Sequence, residues 1–169
     1  MTFAETFETG KRSGKDLLNQ AVDAYTDSIY RHAYFYLRSR QDAEDVCQEV
    51  FLKLYTESKG FTDDNHLKAW LLRVCSNVCK NVLRRKKHTD SLPLDEAMTV
   101  AHDPQRDDTM EMVFSLPPMY AAVIYLYYYE GYQTAEIASI LGKKDATVRS
   151  QLKRGRELLR ETLGGSYEK

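Results

Sequence analysis

Two stretches of this sequence concentrate side chains that bind phosphate and read base edges. From Arg73 to Lys87 there are six basic residues and no acid. Within that run Asn77 and Asn81 lie about one helical turn apart, and their amides both donate and accept, which suits exposed base edges. Lys80, Arg84 and Arg85 supply charge that tracks phosphates. From Lys143 to Arg160 there are seven basic residues and two acids, a net of +5. Arginine grips guanine through two hydrogen bonds, and Lys and Ser reach bases or phosphates. The candidates there are Thr147, Arg149, Ser150, Lys153, Arg154 and Arg156. A third cluster has the opposite sign: Asp42, Glu44, Asp45 and Glu49, with Gln48 and Phe51. Such a helix faces solvent or docks a basic protein surface, not DNA.

This chemistry is recognition, not bond making. No glycine-rich phosphate loop, Ser/His/Asp order or paired-carboxylate pocket points to catalysis, so no enzyme, catalytic residue or cofactor is expected. Cys75 and Cys79, at i and i+4, have a spacing that could ligate a metal with Cys47 or His88. Spacing is the only support for that, so the cysteines are read as small buried thiols and no metal site is expected.

The elements that position these residues read as helices throughout. Leu18, Val22, Tyr25, Ile29, Ala33 and Leu37 recur every three or four residues. Asp42 is placed as the cap of a second helix with Val46, Val50, Phe51 and Leu54 on its apolar face. Thr62 to Asn65 reads as a loop, and a third helix carries Leu67, Leu71, Val74, Val78 and Val82. Pro117 and Pro118 open a further helix, which Glu130 and Gly131 end. Thr134 is placed as the cap of a short helix that Gly142 stops, and Asp145 as the cap of the last. Two helices joined by a tight turn at a glycine form a helix-turn-helix. Ile137, Leu141, Val148 and Leu152 then meet across the turn, Ala138 is small where the helices cross, and the second helix is free to enter a major groove. The alternative is a helical hairpin with a solvated basic face. Tyr125, Tyr127, Tyr128 and Tyr129 are read as part core and part cover over this unit, and Trp70 as core.

The 169 residues make one ordinary domain or two small ones. With 24 Lys+Arg against 25 Asp+Glu the net charge is −1, which by itself argues against a nucleic-acid binder. The average conceals three segments: residues 1–88 carry +3, 89–112 carry −6 and 113–169 carry +2. The acidic segment holds Pro93 and Pro104 and lacks apolar periodicity, so 89–108 is read as a linker between domains 1–88 and 109–169 rather than a long surface loop. No apolar run is long enough for a membrane helix, and the N-terminus lacks a signal-peptide pattern. Three cysteines fit a reducing cytoplasm.

Taken together, three stretches resemble the extracytoplasmic-function (ECF) sigma factors, minimal bacterial transcription initiation factors. DAEDVCQEVFLKLY (42–55) resembles the family's region 2.2, LKAWLLRVCSNVCKNVLRRKK (67–87) its regions 2.3 and 2.4, and 116–159 its region 4. The resemblance implies an all-α chain of a three-helix domain and a helix-turn-helix domain. It implies that Asp42, Asp45, Gln48, Glu49 and Phe51 dock the clamp coiled coil of RNA polymerase's largest catalytic subunit. The loop Phe61 to His66 would capture a base flipped from the promoter −10 element, beside Asn77, Lys80, Asn81, Arg84 and Arg85. Arg149, Ser150, Lys153 and Arg154, with Thr147, would read the −35 duplex, and Arg156 would hold phosphate. Lys153 stands where some members carry an aromatic residue. The implied partners are core polymerase (clamp and flap), promoter DNA and an anti-sigma protein, without membrane insertion. No separate signalling domain is expected after residue 163. The alternative, a helix-turn-helix regulator that is no polymerase subunit, has no use for the acidic helix.

Overall fold

The first helix, α1 (Gly14–Leu37), turns back sharply into α2 (Arg40–Thr56) because two residues end one and start the other. Arg38 adopts a left-handed conformation (φ 53°) and donates its N–H to Tyr34 O at 2.9 Å. Ser39 is extended, and its hydroxyl accepts the Asp42 N–H at 3.3 Å. The cap is therefore Ser39 and not Asp42, which falls in the first turn, where its charge suits the helix dipole. The computed structural model describes residues 14–57, 60–89 and 108–164. Among these, every regular element is a helix: α3 (Asp64–His88), α4 (Asp108–Ser115), α5 (Pro118–Tyr128), α6 (Thr134–Leu141) and α7 (Asp145–Gly164) complete the set. The all-α expectation holds. The chain divides into two compact units, Met1–Arg84 and Arg85–Lys169. Most of the expected linker, 90–107, lies outside the described residues.

In the first unit α1 packs along α2, burying Ile29, Ala33, Phe35 and Leu37 against Val46, Val50, Phe51 and Leu54. Near its start the buried stripe of α1 runs through Ala21, not Val22, which is 37% exposed. The third helix buries Leu67, Leu71, Leu72, Cys75, Val78 and Cys79. It is tied to α1 by a buried polar pair. Ser76 donates its hydroxyl proton to Leu72 O at 2.9 Å, so His32 Nε2–H is the donor to Ser76 Oγ at 2.8 Å. The helix starts at Asp64, so Asp64 and Asn65, expected in the loop, are helical.

In the second unit α4 was not anticipated. It is eight residues long and buries Met110, Val113 and Phe114, with Leu116 just beyond it, against the hydrophobic α5. Next, α5 starts at Pro118 with Pro117 as its cap, and it buries Ala121 to Leu126 without a break. Its closest neighbour is α7. A Cβ placed on Gly155 would lie 2.9 Å from Ile124 Cγ1, so the two helices approach closely at Gly155. Gly155→Val should cost about 1–3 kcal/mol through overpacking. Thermal unfolding of the variant checks this, and an unchanged midpoint would show that the crossing can relax.

Candidate nucleic-acid interface

The helix-turn-helix is built by α6, a three-residue turn and α7. Glu136 in the first turn of α6 accepts the Gln133 N–H at 2.8 Å, which makes Gln133 the cap in place of Thr134. Gly142 sits in the left-handed region (φ 64°), and the following Lys143 N–H reaches Ala138 O at 2.9 Å, as the stop required. Lys143 Nζ also donates to the buried Gln151 side chain at 2.9 Å, pinning the turn onto α7. Asp145 is the first residue of α7 rather than its cap.

This helix has two opposed faces. Val148, Gln151, Leu152 and Gly155 are buried. Thr147, Arg149, Ser150, Lys153 and Arg154 are exposed, and Arg156 is half-buried. All six expected readers thus lie away from the core. Ala146 is exposed among them, a small apolar side chain of the kind that meets a thymine methyl. Two of the arginines are already paired with acids of their own helix. Arg149 meets Asp145 at 2.9 Å, and Arg154 meets Glu157 at 3.2 Å and Glu161 at 3.7 Å. Exposed pairs like these contribute little to stability and fix side-chain direction instead.

On α3, Arg73, Asn77, Lys80, Asn81 and Arg84 are exposed at spacings of three and four, which is one face of the helix. Arg85 is exposed beside them. The Asn81 amide oxygen accepts from Arg84, so amide and guanidinium act as one polar unit. At the start of this helix the short loop is ordered by its own side chains. Asp63 Oδ1 accepts the His66 N–H at 2.8 Å, and this bond holds the Asp63 carboxyl below its ordinary range. Phe61 meets Trp70 edge to face at 5.4 Å and His66 at 5.5 Å, leaving Phe61 and Trp70 half-buried.

The acidic face of α2 is exposed at Glu44, Asp45 and Gln48, with Asp42 and Glu49 half-buried. Glu49 reaches Lys53 Nζ at 3.7 Å. Phe51 is only 9% exposed, so it packs in the core and holds the helix instead of lying on this face. Sequence reasoning missed two residues that do lie on it, Leu52 (66% exposed) and Tyr55 (57%). They stand four and seven residues after Gln48, apolar at positions where the helical period predicts polar ones.

The three cysteines are buried and free. Among the described residues no group of His, Cys, Asp and Glu is placed to hold a metal. Burial, with Cys79 and Glu44 nearby, pushes the Cys47 thiol up from 9.0 to about 12. Cys75 is also raised by burial, then by Cys79. Alkylation at pH 8 should therefore spare Cys47 and Cys75 in the folded chain and modify both after unfolding, since the thiolate is the reactive form. Fast native labelling would contradict this. The sign for stability follows. Both states keep the Cys47 proton below pH 9, and above it the unfolded chain ionises first, so stability falls as pH climbs toward 12.

Two family profiles match the chain, Sigma-70 region 2 over residues 21–89 and Sigma-70 region 4 over 106–159. The ECF RNA polymerase sigma factor SigE of Mycolicibacterium smegmatis is 30% identical over 167 residues, which cover 92% of this chain and 65% of the relative. SigW of Bacillus subtilis, another ECF sigma factor, is 30% identical over 172 residues, covering 90% of this chain and 92% of the relative. Two solved structures share the fold. The sigma factor RpoE, in complex with the anti-sigma factor NepR from Bartonella quintana, matches with TM-score 0.67 at 21% identity, over 89% of this chain and 98% of that one. CnrH, in complex with the cytosolic domain of CnrY, matches with TM-score 0.61 at 19% identity, over 96% of both. With both profiles in chain order and relatives aligned along nearly its whole length, the chain belongs to the ECF family of RNA polymerase sigma factors.

Proposed function

We propose that this chain directs bacterial RNA polymerase to a specific set of promoters, and that its two units divide the work. Residues 1–88 dock the polymerase clamp and hold the −10 strand, 89–108 form the linker, and 109–169 read the −35 duplex and meet the flap. The polymerase supplies the chemistry. No helix among the described residues is long and apolar enough to cross a membrane, and the proposed location is the cytoplasm, where polymerase works. An anti-sigma protein is the proposed negative partner, by analogy with RpoE, which was solved with the anti-sigma factor NepR.

The observation that carries this reading is the separation of charge within the first unit. One helix, α2, exposes Glu44 and Asp45, while α3 exposes Arg73, Lys80 and Arg84. A duplex-binding regulator needs only the face on α7. A polymerase subunit needs an acidic surface for protein and a basic one for nucleic acid, kept apart so that neither neutralises the other. On α3, Asn77 and Asn81 stand among the cations as edge readers for unpaired bases, and the aromatic wall of Phe61 and Trp70 offers stacking for a flipped one.

Run-off transcription with purified core polymerase on fragmented genomic DNA tests the reading. Discrete transcripts that depend on the added chain are expected, and none above the core-only background would refute it. Replacing Asn77 and Asn81 with Ala should impair promoter opening, read by permanganate reactivity of the melted strand, more than it impairs −35 duplex binding. Normal opening would remove these two residues from the −10 site.

A further inference from the structure

The end of α5 meets the middle of α7 in an arrangement that the reading above does not use. Arg156 donates its Nε–H to the Tyr128 hydroxyl at 2.7 Å. Its guanidinium carbon lies 5.3 Å from the centroid of the Tyr127 ring and 5.6 Å from that of Tyr128. The two rings meet edge to face at 5.0 Å. Tyr128 is 56% exposed, far more than packing alone requires of an aromatic ring. Both side chains stand beside the tight crossing at Gly155, so their separation is set by two packed helices and not by a loop.

We propose that Tyr128 and Arg156 together form a clamp for one backbone phosphate of duplex DNA, on the flank of the α7 reading face. The proposal rests on the reading that α7 enters a −35 groove, and it adds the residue from α5 that positions the phosphate contact. The chemistry follows from which atoms are engaged. With Nε–H given to Tyr128, the end of the guanidinium keeps its two terminal nitrogens, a planar fork that matches two oxygens of a phosphate. The Tyr128 oxygen accepts in this bond, so its own O–H remains to donate, and the adjacent cation polarises it into a stronger donor. The cation–π contact with Tyr127 restrains the guanidinium before DNA arrives, which lowers the ordering cost of binding. Arg156 follows Arg149 by seven residues and Lys153 by three, so the clamp lies along the same row as two expected readers. An anchored phosphate there would set the register in which Arg149 meets its base.

The alternative is that the pair only staples α5 to α7. The test uses holoenzyme assembled from core polymerase and the full chain. The probe is a promoter duplex recovered by run-off, unmodified or with one phosphate at a time replaced by neutral methylphosphonate across the −35 segment. Wild-type holoenzyme should lose affinity when one particular phosphate is neutralised. Tyr128→Phe keeps the ring and removes the hydroxyl. It should bind the unmodified duplex about tenfold more weakly, the loss of a charge-assisted hydrogen bond, and lose less affinity than wild type to that one methylphosphonate. Arg156→Lys, which keeps the charge and loses the fork, should show the same reduced sensitivity, and the slope of log affinity against log salt should fall for Arg156→Ala by about one. Tyr128→Phe binding like wild type overturns the clamp alone. So does weaker binding with the wild-type methylphosphonate pattern, which would mark a purely structural role. A wild-type chain that yields no transcripts and no promoter binding overturns the sigma-factor reading and the clamp with it.

Discussion

Reversing the charge of Asp45 and Glu49 together, to Lys, should abolish capture of core polymerase by the chain while leaving its helical circular dichroism and unfolding midpoint unchanged. Asp45 is exposed and Glu49 half-buried, and neither contributes to the apolar contact between α1 and α2, which is made by Val46, Val50, Phe51 and Leu54. Glu49 lies 3.7 Å from Lys53 Nζ, and an exposed bond of that kind is worth about 0.3–0.5 kcal/mol. Folding therefore has little to lose. Docking has much to lose, because two like charges brought onto a basic partner cost several kcal/mol, which is a loss of at least about a hundredfold in affinity. Pull-down with tagged core enzyme reads the result. Undiminished capture would move the docking surface elsewhere. Leu52→Ser and Tyr55→Ser offer a graded companion: exposed apolar side chains that matter to a partner should weaken capture without changing the salt dependence.

The second large effect is expected at Arg149. Replacing it with Ala should lower transcription from a cognate promoter by about 1–3 kcal/mol of recognition and flatten the preference at one base pair of the −35 element. It stands in the second turn of α7, fully on the outward side, and Asp145 at 2.9 Å holds its guanidinium in a set direction. Arg154→Ala should act in the same sense at the lower end of that range, because Glu157 and Glu161 already draw on its charge. Transcription from promoters carrying single −35 substitutions decides the matter. An equal loss on every sequence would reassign both residues to phosphates.

Much of this was legible because helices announce themselves by period. The stripe on α2 agrees with its buried face, the stripe on α7 agrees at Val148 and Leu152 but not at the half-buried Leu158 and Leu159 or the exposed Leu163, and Gly142 needs the left-handed turn that a glycine accommodates. The errors have physical causes. Ser39 and Gln133 displaced Asp42 and Thr134 as caps because a cap is defined by the backbone it bonds, and several polar residues stood within reach of each helix start. The short α4 lies next to two prolines and an acidic run, and it is helical because α5 offers an apolar surface to cover. Phe51 fits either a core or an interface by type, and only packing distinguishes them. The clamp-like contact of Arg156 with Tyr128 joins residues 28 apart, a pairing to which no local spacing points.

The opposed faces of α7 carry a consequence for how such proteins diversify. The residues that fold the helix into its unit (Val148, Gln151, Leu152 and Gly155) and those turned outward (Arg149, Ser150 and Lys153) share no position. Selection on target sequence and selection on folding therefore act on separate sets of codons. Duplicated copies of the gene can drift apart at three or four outward positions while each still folds. The same separation makes the outward positions a natural place to engineer mutually insulated copies that ignore one another's promoters.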